Sequence, residues 1–209
     1  MVSITRIQCG NGNCFCVEED HNAILIDTSW ASYRDKILKE CEGKNIRLIV
    51  LTHGHIDHVQ NAAALSKALK APIAMHKADY ALTRNNMEEA MMANTLLGKM
   101  ICAFLKKNLM DKIEPFEPEV FLCDGDTLDH YGVRASVIGL PGHTKGSIGI
   151  LAGDSDLFVG DALMNIMCPT KSLLYGNQAA MLKSAEKISG VKSATIHFGH
   201  GKSAANRAW

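Results

Sequence analysis

The chain of 209 residues is predicted to be α/β, on three observations. Short apolar, β-branched runs bounded by Gly, Asp or Asn recur along it. Segments with helical apolar spacing lie between them, and the order of the two resembles two similar halves placed back to back. In chain order, Val2–Ile7 and Ala23–Ile26 read as strands, followed by a helix over Tyr33–Cys41. The apolar, β-branched run Ile46–Leu51 reads as the next strand. A helix over Asn61–Leu69 follows. The segment Ala81–Pro118 breaks the rhythm: it is long, carries the stripe Met87, Met91, Leu96, Met100, Phe104, and ends in the proline-containing run EPFEPE. It reads as an insertion built on a helix over Asn86–Lys107. Strands resume at Val133–Ile138, Ile148–Leu151 and Leu157–Val159, and a helix over Ala179–Ile188 leads into a last strand at Ala194–Ile196. No repeat and no Gly/Ser-rich linker divides the chain, so one domain over residues 1–209 is expected.

Lys plus Arg balance Asp plus Glu, 22 against 22, which leaves neither the basic field that collects nucleic acid nor an acidic tail. No run approaches the roughly 18–20 apolar residues that span a bilayer. The start, MVSITRIQCG, has no long apolar stretch after a basic segment, which argues against a secretory signal and for a cytoplasmic protein. A small-molecule substrate is the expected partner, with nucleic acid and membrane disfavoured and a homodimer open. The seven cysteines are odd in number and irregular in spacing, at 9, 14, 16, 41, 102, 123 and 168, and are expected as reduced thiols, most of them buried.

The nine histidines outnumber the six phenylalanines, and they are clustered. The strand Ile46–Leu51 runs straight into Thr52-His53-Gly54-His55-Ile56-Asp57-His58, three imidazoles and a carboxylate within six positions. At a strand end, alternation puts His53 and His55 on one side, and a turn into a helix beginning near Asp57 aims Asp57 and His58 at the same space. Neutral imidazole nitrogen and carboxylate oxygen are transition-metal ligands, so the spacing suits two adjacent ions, one for the His-x-His pair and one for the Asp-His pair. Three later segments supply what two ions lack: Gly142-His143-Thr144, Gly160-Asp161-Ala162 and Gly199-His200-Gly201, each where a strand gives way to a loop. Loops at one end of a sheet converge, so distant positions can share a site.

These four segments, in this order, resemble the metallo-β-lactamase superfamily of metallohydrolases over nearly the whole chain. The resemblance implies a four-layer αβ/βα sandwich with a dinuclear site at the edge of two sheets. It implies that His53, His55 and His143 hold one metal, that Asp57, His58 and His200 hold the other, and that Asp161 bridges. The expected cofactors are two divalent ions, zinc first, with iron or manganese as alternatives, since such sites accept all three. Two such ions share a water and lower its pKa toward neutrality, providing a hydroxide nucleophile, with Asp57 both ligating and orienting it. The expected activity is cleavage of an ester, thioester, lactone or similar bond. A mononuclear iron persulfide dioxygenase and a non-catalytic metal-binding protein are the alternatives.

Departures from subfamily patterns narrow the expectation. Asp161 stands where one β-lactamase group has a cysteine ligand, and Met164 stands where its substrate-binding lysine would be. Only nine residues follow His200, short of the C-terminal helical domain of glyoxalase II enzymes, which makes glutathione thioesters less expected. Ala162-Leu163-Met164 lacks the tyrosine of acyl-homoserine lactonases, and His55 stands where diiron flavoprotein relatives carry Glu. Neither the large inserted domain nor the basic surface of the superfamily's nucleases is seen.

Several other residues read less sharply. Asp27, in Ile26-Asp27-Thr28, either supports the ligands or caps a local turn. His197 is expected in the core or behind a ligand, and His21, His76 and His130 are expected to be solvated or structural. Cys14-Phe15-Cys16 puts two thiols on one face of a strand, where burial in the core is the expectation over metal binding. Gly54, Gly142 and Gly201 are expected to let backbone approach the ions. The insertion helix has more apolar side chains than one packing stripe needs; core packing is the first reading, a substrate wall the second, a dimer contact the third.

Overall fold

The computed structural model describes residues 2–209 except 87, 94, 97, 101, 103–111 and 193. Two sheets organise them. The first has six strands in sequential order: β1 (Ser3–Cys9), β2 (Gly12–Glu19), β3 (Asn22–Ile26), β4 (Ile46–Val50), β5 (Ile73–Met75) and β6 (Val120–Phe121). Hairpins join β1, β2 and β3, whereas β3 to β6 run parallel, linked through α1 (Arg34–Glu40), α2 (Ile56–Val59) and α3 (Ala62–Leu69). The second sheet is ordered β13-β12-β9-β8-β7, from β7 (Ala135–Gly139), β8 (Ile148–Ala152), β9 (Asp156–Gly160), β12 (Thr195–Phe198) and β13 (Ala204–Ala205). A small hairpin of β10 (Leu163–Met164) and β11 (Thr170–Lys171) stands apart, and α4 (Gln178–Ser189) precedes β12, its N-terminus capped by Asn177 Oδ1 accepting from Ala180 N at 3.0 Å.

Three apolar clusters make four layers of these elements. Leu25, Ile49 and Cys16 face outward from the first sheet onto Ile37, Val59, Ala62 and Leu65 of α1, α2 and α3. The alternate residues Phe15, Val17, Ile24, Ile26, Leu48 and Val50 face inward and meet Val137, Ile148, Ile150 and Phe158 of the second sheet. The outer face of that sheet, Leu157, Val159, Ile196 and Phe198, packs on Ala185 and Ile188 of α4. Successive side chains of a strand point to opposite faces, so a strand covered on both sides must be apolar throughout. Ile46–Leu51 is read correctly for that reason, and the αβ/βα layering matches the expectation.

The structure corrects several elements. Strand β2 extends well beyond Cys14–Cys16, and β5, β6, β10, β11 and β13 were not expected; each of those five has two or three residues, too few for any periodicity. The helix expected over Asn86–Lys107 does not begin at Asn86. Residues 88–93 and 95 are bends and coil apart from an isolated β-bridge at Met92, and among the described residues of this stretch helical backbone is found only at 96, 98–100 and 102. The Asn86 side chain instead accepts from Ile56 N (2.6 Å) and donates to Leu82 O (2.6 Å), and Met92 exchanges two backbone hydrogen bonds with Tyr175. Leu96 and Met100 are 78% and 64% exposed, so core packing is not their role. The stripe members Met87 and Phe104 lie outside the described residues, as do Leu97, Ile101 and Leu105 of the expected helix. No helix among the described residues is long and apolar enough to cross a membrane.

Candidate metal centre

The strand directions bring the four segments together. Strands β7 and β9 are both antiparallel to β8, and β12 is parallel to β9, so all three end on the same edge of the second sheet. The loops carrying His143, Asp161 and His200 leave from those ends. Strand β4 ends beside them, and Thr52 O accepts from Ile148 N at 2.9 Å, tying the two sheets at this edge. Beyond Thr52 the chain runs through His53 and His55 and turns into the four-residue helix α2, which carries Asp57 and His58 on its first turn.

Ligand atoms of His53, His55 and His143 lie within 4.8 Å of one another, as do those of His53, His58 and Asp161 and those of Asp57, His58 and His200. All seven sequence-predicted residues thus lie in one cluster. Four of the five imidazoles are held from outside by one nitrogen. His53 Nδ1 meets Thr52 Oγ1 (3.1 Å), His58 Nδ1 meets Asp27 Oδ2 (2.8 Å), His143 Nδ1 donates to Leu174 O (2.8 Å) and His200 Nδ1 to Asn11 O (3.1 Å). The other nitrogen points inward. His53 Nε2, His58 Nε2 and Asp161 Oδ1 are buried and have no hydrogen-bond partner, and His55 Nδ1 and His143 Nε2 face each other at 2.9 Å. Unpartnered buried nitrogens and carboxylate oxygens aimed at one point are costly in a closed protein. They are also the donor set of a divalent transition metal, with the outer contacts fixing each tautomer. The carboxylate of Asp161 lies between the groups, 3.7 Å from His143 Nε2, 3.5 Å from His58 Nε2 and 3.4 Å from His200 Nε2.

The electrostatics divide the cluster. Burial pushes His53 below the ordinary imidazole range, reinforced by the His58, His143 and His55 rings, and His55 is pushed down to about 3 by burial and His143. Burial acts the same way on His58, but Asp27, Asp161 and Asp57 outweigh it and raise the ring to about 9; Asp161 and Asp57 likewise raise His200. Burial would raise Asp57 and Asp161, yet His58 and His200 hold both below the usual carboxylate range. One end therefore offers neutral imidazoles and the other ionised carboxylates beside protons that a cation would replace.

Residues outside the motifs position the donors. Asp27, left open by the sequence, supports the ligands: at φ 60° its carboxylate accepts from Thr52 N (2.8 Å) and Thr52 Oγ1 (2.9 Å) while meeting His58. Asn13 donates to Phe198 O (2.9 Å) and Gly201 O (2.7 Å), bracing the His200 loop across the two sheets. Asp79, Asn13 and Asn86 were missed, since a lone polar residue outside a motif has no sequence signal; only their burial, 0%, 3% and 7% exposed, marks them. The glycines act differently from expectation. A Cβ on Gly54, Gly142 or Gly201 would strike backbone of Asp79, Met181 or Asn165, so these positions serve loop packing, while Gly199 is the one whose Cβ would crowd Asp161 (2.5 Å) and His58 (2.8 Å). His197 turns away from the cluster, stacked on Phe158 and bonded to Ser203 and Asp156. His21 and His130 are exposed and His76 caps a turn, as expected. Cys9, Cys14, Cys16 and Cys41 are buried thiols, Cys102 is half-buried, and Cys123 and Cys168 are exposed; no cysteine joins a metal-type group among the described residues.

The sequence matches the profile of the metallo-beta-lactamase superfamily over residues 7–200. A hydroxyacylglutathione hydrolase of Photobacterium profundum is 24% identical over 212 residues, covering 100% of this chain and 69% of its own. Among solved structures, the BLEG-1 B3 metallo-beta-lactamase superposes with a TM-score of 0.72 at 21% identity, covering 97% of this chain and 94% of its own. The protein TTHA1623 in a di-iron-bound form gives 0.69 at 22%, with the same coverage. At those identities the structures speak to the fold alone. The profile spans the first sheet, the second sheet and every loop that delivers a donor, and on that ground the chain belongs to the metallo-beta-lactamase superfamily.

Proposed function

We propose that the chain is a metal-dependent hydrolase acting on an ester, thioester, lactone or similar bond of a small molecule. In this reading His53, His55 and His143 hold one divalent ion, Asp57, His58 and His200 a second, and Asp161 reaches both. The observation that carries it is the set of inward atoms without partners, His53 Nε2, His58 Nε2 and Asp161 Oδ1, in a space ringed by the other donors. Paired divalent ions supply a nucleophilic water at neutral pH and positive charge for the developing oxyanion and leaving atom. The chain's own groups do the rest. Asp57 is ionised despite its burial, and it is the one donor with appreciable solvent access, 17% at the side chain, so it can accept a hydrogen bond from the attacking water and aim it. Without metal His58 and His200 keep that carboxylate charged, and a bound cation would take over that role. Asp27 fixes the His58 ring by its Nδ1, so that Nε2 faces the reacting space. The name of the Photobacterium relative, a hydroxyacylglutathione hydrolase, supports thioesters as a substrate class. Zinc is the proposed metal, with iron and manganese as alternatives; the di-iron form of a fold neighbour keeps iron in view.

The test is chelation, reloading with zinc, iron or manganese in turn, and a screen against ester, acyl thioester, lactone and phosphodiester substrates. Hydrolysis of one class that is lost on chelation and restored by a divalent ion is expected. Silence across all classes with two ions bound, or activity that requires iron and dioxygen, overturns it.

A further inference from the structure

Asp79 sits in the first turn of the short 3-10 helix Lys77–Thr83, 25 residues from Gly54 and 65 from Thr144, yet its carboxylate ties both loops together. Its Oδ2 accepts from Gly54 N at 2.9 Å and from Thr144 Oγ1 at 2.6 Å, and its Oδ1 accepts from Gly146 N at 2.5 Å. Gly54 lies between His53 and His55, and Thr144 follows His143. The group is 0% exposed and, among the described residues, forms no ion pair with Lys, Arg or His. A buried carboxylate without a cation is retained only where its hydrogen bonds are needed. Both glycines are shaped around it: a Cβ on Gly54 would lie 2.6 Å from Asp79 O, and a Cβ on Gly146 would lie 2.6 Å from Asp79 Oδ1.

We propose that Asp79 is a positioning residue for the three-imidazole group, acting as a clamp that sets His53 and His55 against His143 by holding the backbone of Gly54 and the Thr144–Gly146 turn on one carboxylate. The inference rests on the reading of that triplet as a metal site. It follows from the donor count. Three donors converge on Asp79 from two loops that are otherwise far apart in the chain, so only an acceptor with two ionised oxygens satisfies them together. The carboxamide of Asn would turn an NH2 toward one of these donors and open the clamp. The Asp57, His58 and His200 group has its own supports in Asp27 and Asn11 and does not touch Asp79.

The experiment is a cobalt titration of the metal-stripped protein, followed by the visible absorption of the bound ion, for the parent, Asp79→Asn, Asp79→Glu, Thr144→Val and Thr144→Ser, with His53→Ala as reference. In Asp79→Asn the affinity of one of two cobalt-binding steps should fall about 10–100-fold with an altered visible band, the other step staying within about threefold. Thr144→Val should lose part of this and Thr144→Ser should restore it. Should Asp79→Asn fail to fold, the Thr144 pair carries the same comparison. Parent-like affinity and spectrum at both steps in Asp79→Asn and Thr144→Val, or an equal loss at both steps, overturn the clamp. A parent that binds no cobalt, or a His53→Ala variant that binds it as the parent does, overturns the metal reading instead.

Discussion

Replacing Asp27 with Asn is predicted to disable two ligands it never touches as ligands. The carboxylate Oδ2 is shared by Thr52 Oγ1 at 2.9 Å and His58 Nδ1 at 2.8 Å, while Oδ1 takes Thr52 N at 2.8 Å. Thr52 Oγ1 in turn sits 3.1 Å from His53 Nδ1. With the carboxylate in place, Thr52 donates to Asp27 and accepts from His53 Nδ1–H, and His58 Nδ1–H points at Asp27; both rings leave Nε2 bare. If Asn keeps its oxygen toward Thr52 N, its NH2 faces Thr52 and His58. Thr52 must then accept from it and donate to His53 Nδ1, and His58 Nδ1 must accept as well. Both rings are driven to the tautomer with hydrogen on Nε2, which cannot ligate. The opposite amide orientation sets NH2 against the Thr52 N–H and leaves a buried donor unpaired. Outer partners of ligating histidines are worth about 10–100-fold in metal affinity, or roughly 1.4–2.7 kcal/mol. The lost charged contact costs a further ~3 kcal/mol of stability, a fall of about 6–12 °C in Tm for a chain of this size. Chelator-competition titration with zinc and a thermal melt of the stripped protein read the two effects separately. An Asp27→Asn protein with parent affinity for both ions would refute the tautomer argument.

Further outcomes follow from the same geometry. Asp161→Ala should lower bound metal measured by elemental analysis far more than His197→Ala, because Asp161 reaches three ligating imidazoles and His197 none; equal metal in the two variants counts against the assignment. Phe158, 1% exposed and packed edge-on against Phe15 (5.0 Å) and flat on His197 (4.5 Å), should cost about 3–5 kcal/mol when cut to Ala, read as a shift in urea midpoint at unchanged slope. A cost below ~1 kcal/mol would mean the layer between the sheets collapses around the gap. Burial pushes His197 below its ordinary pKa, only partly offset by Asp156. Its stabilising contribution is therefore complete above the unfolded value near 6.5 and declines as pH falls toward the folded value, because the unfolded chain takes up the proton first. The difference in urea midpoint between the parent and His197→Gln should narrow from pH 7.5 to pH 5, and a widening gap would reverse the sign.

The donor residues of this protein are legible from sequence because their chemistry is local. A His-x-His-x-Asp-His run on a strand-to-helix turn has few other uses, and Asp161, His143 and His200 each follow an apolar strand that a two-sided core requires. The strands are legible too, in runs such as Ile46–Leu51 and Leu157–Val159 whose alternate residues serve two different clusters, whereas the four-layer arrangement was implied by the family resemblance and not by any run. What holds the donors in place was decided only by the folded chain. Asp27, Asp79 and Asn13 act across 25, 67 and 188 positions of sequence, through loops that meet because three strands end on one edge. The short strands β5 and β6 exist by pairing with a formed neighbour, and residues 88–93 leave the helix their apolar spacing favours because Asn86 and Met92 bond to distant backbone instead. Such contacts depend on directions in space that no spacing along a chain encodes, since a hydrogen bond is decided by where two atoms arrive rather than by which residues precede them.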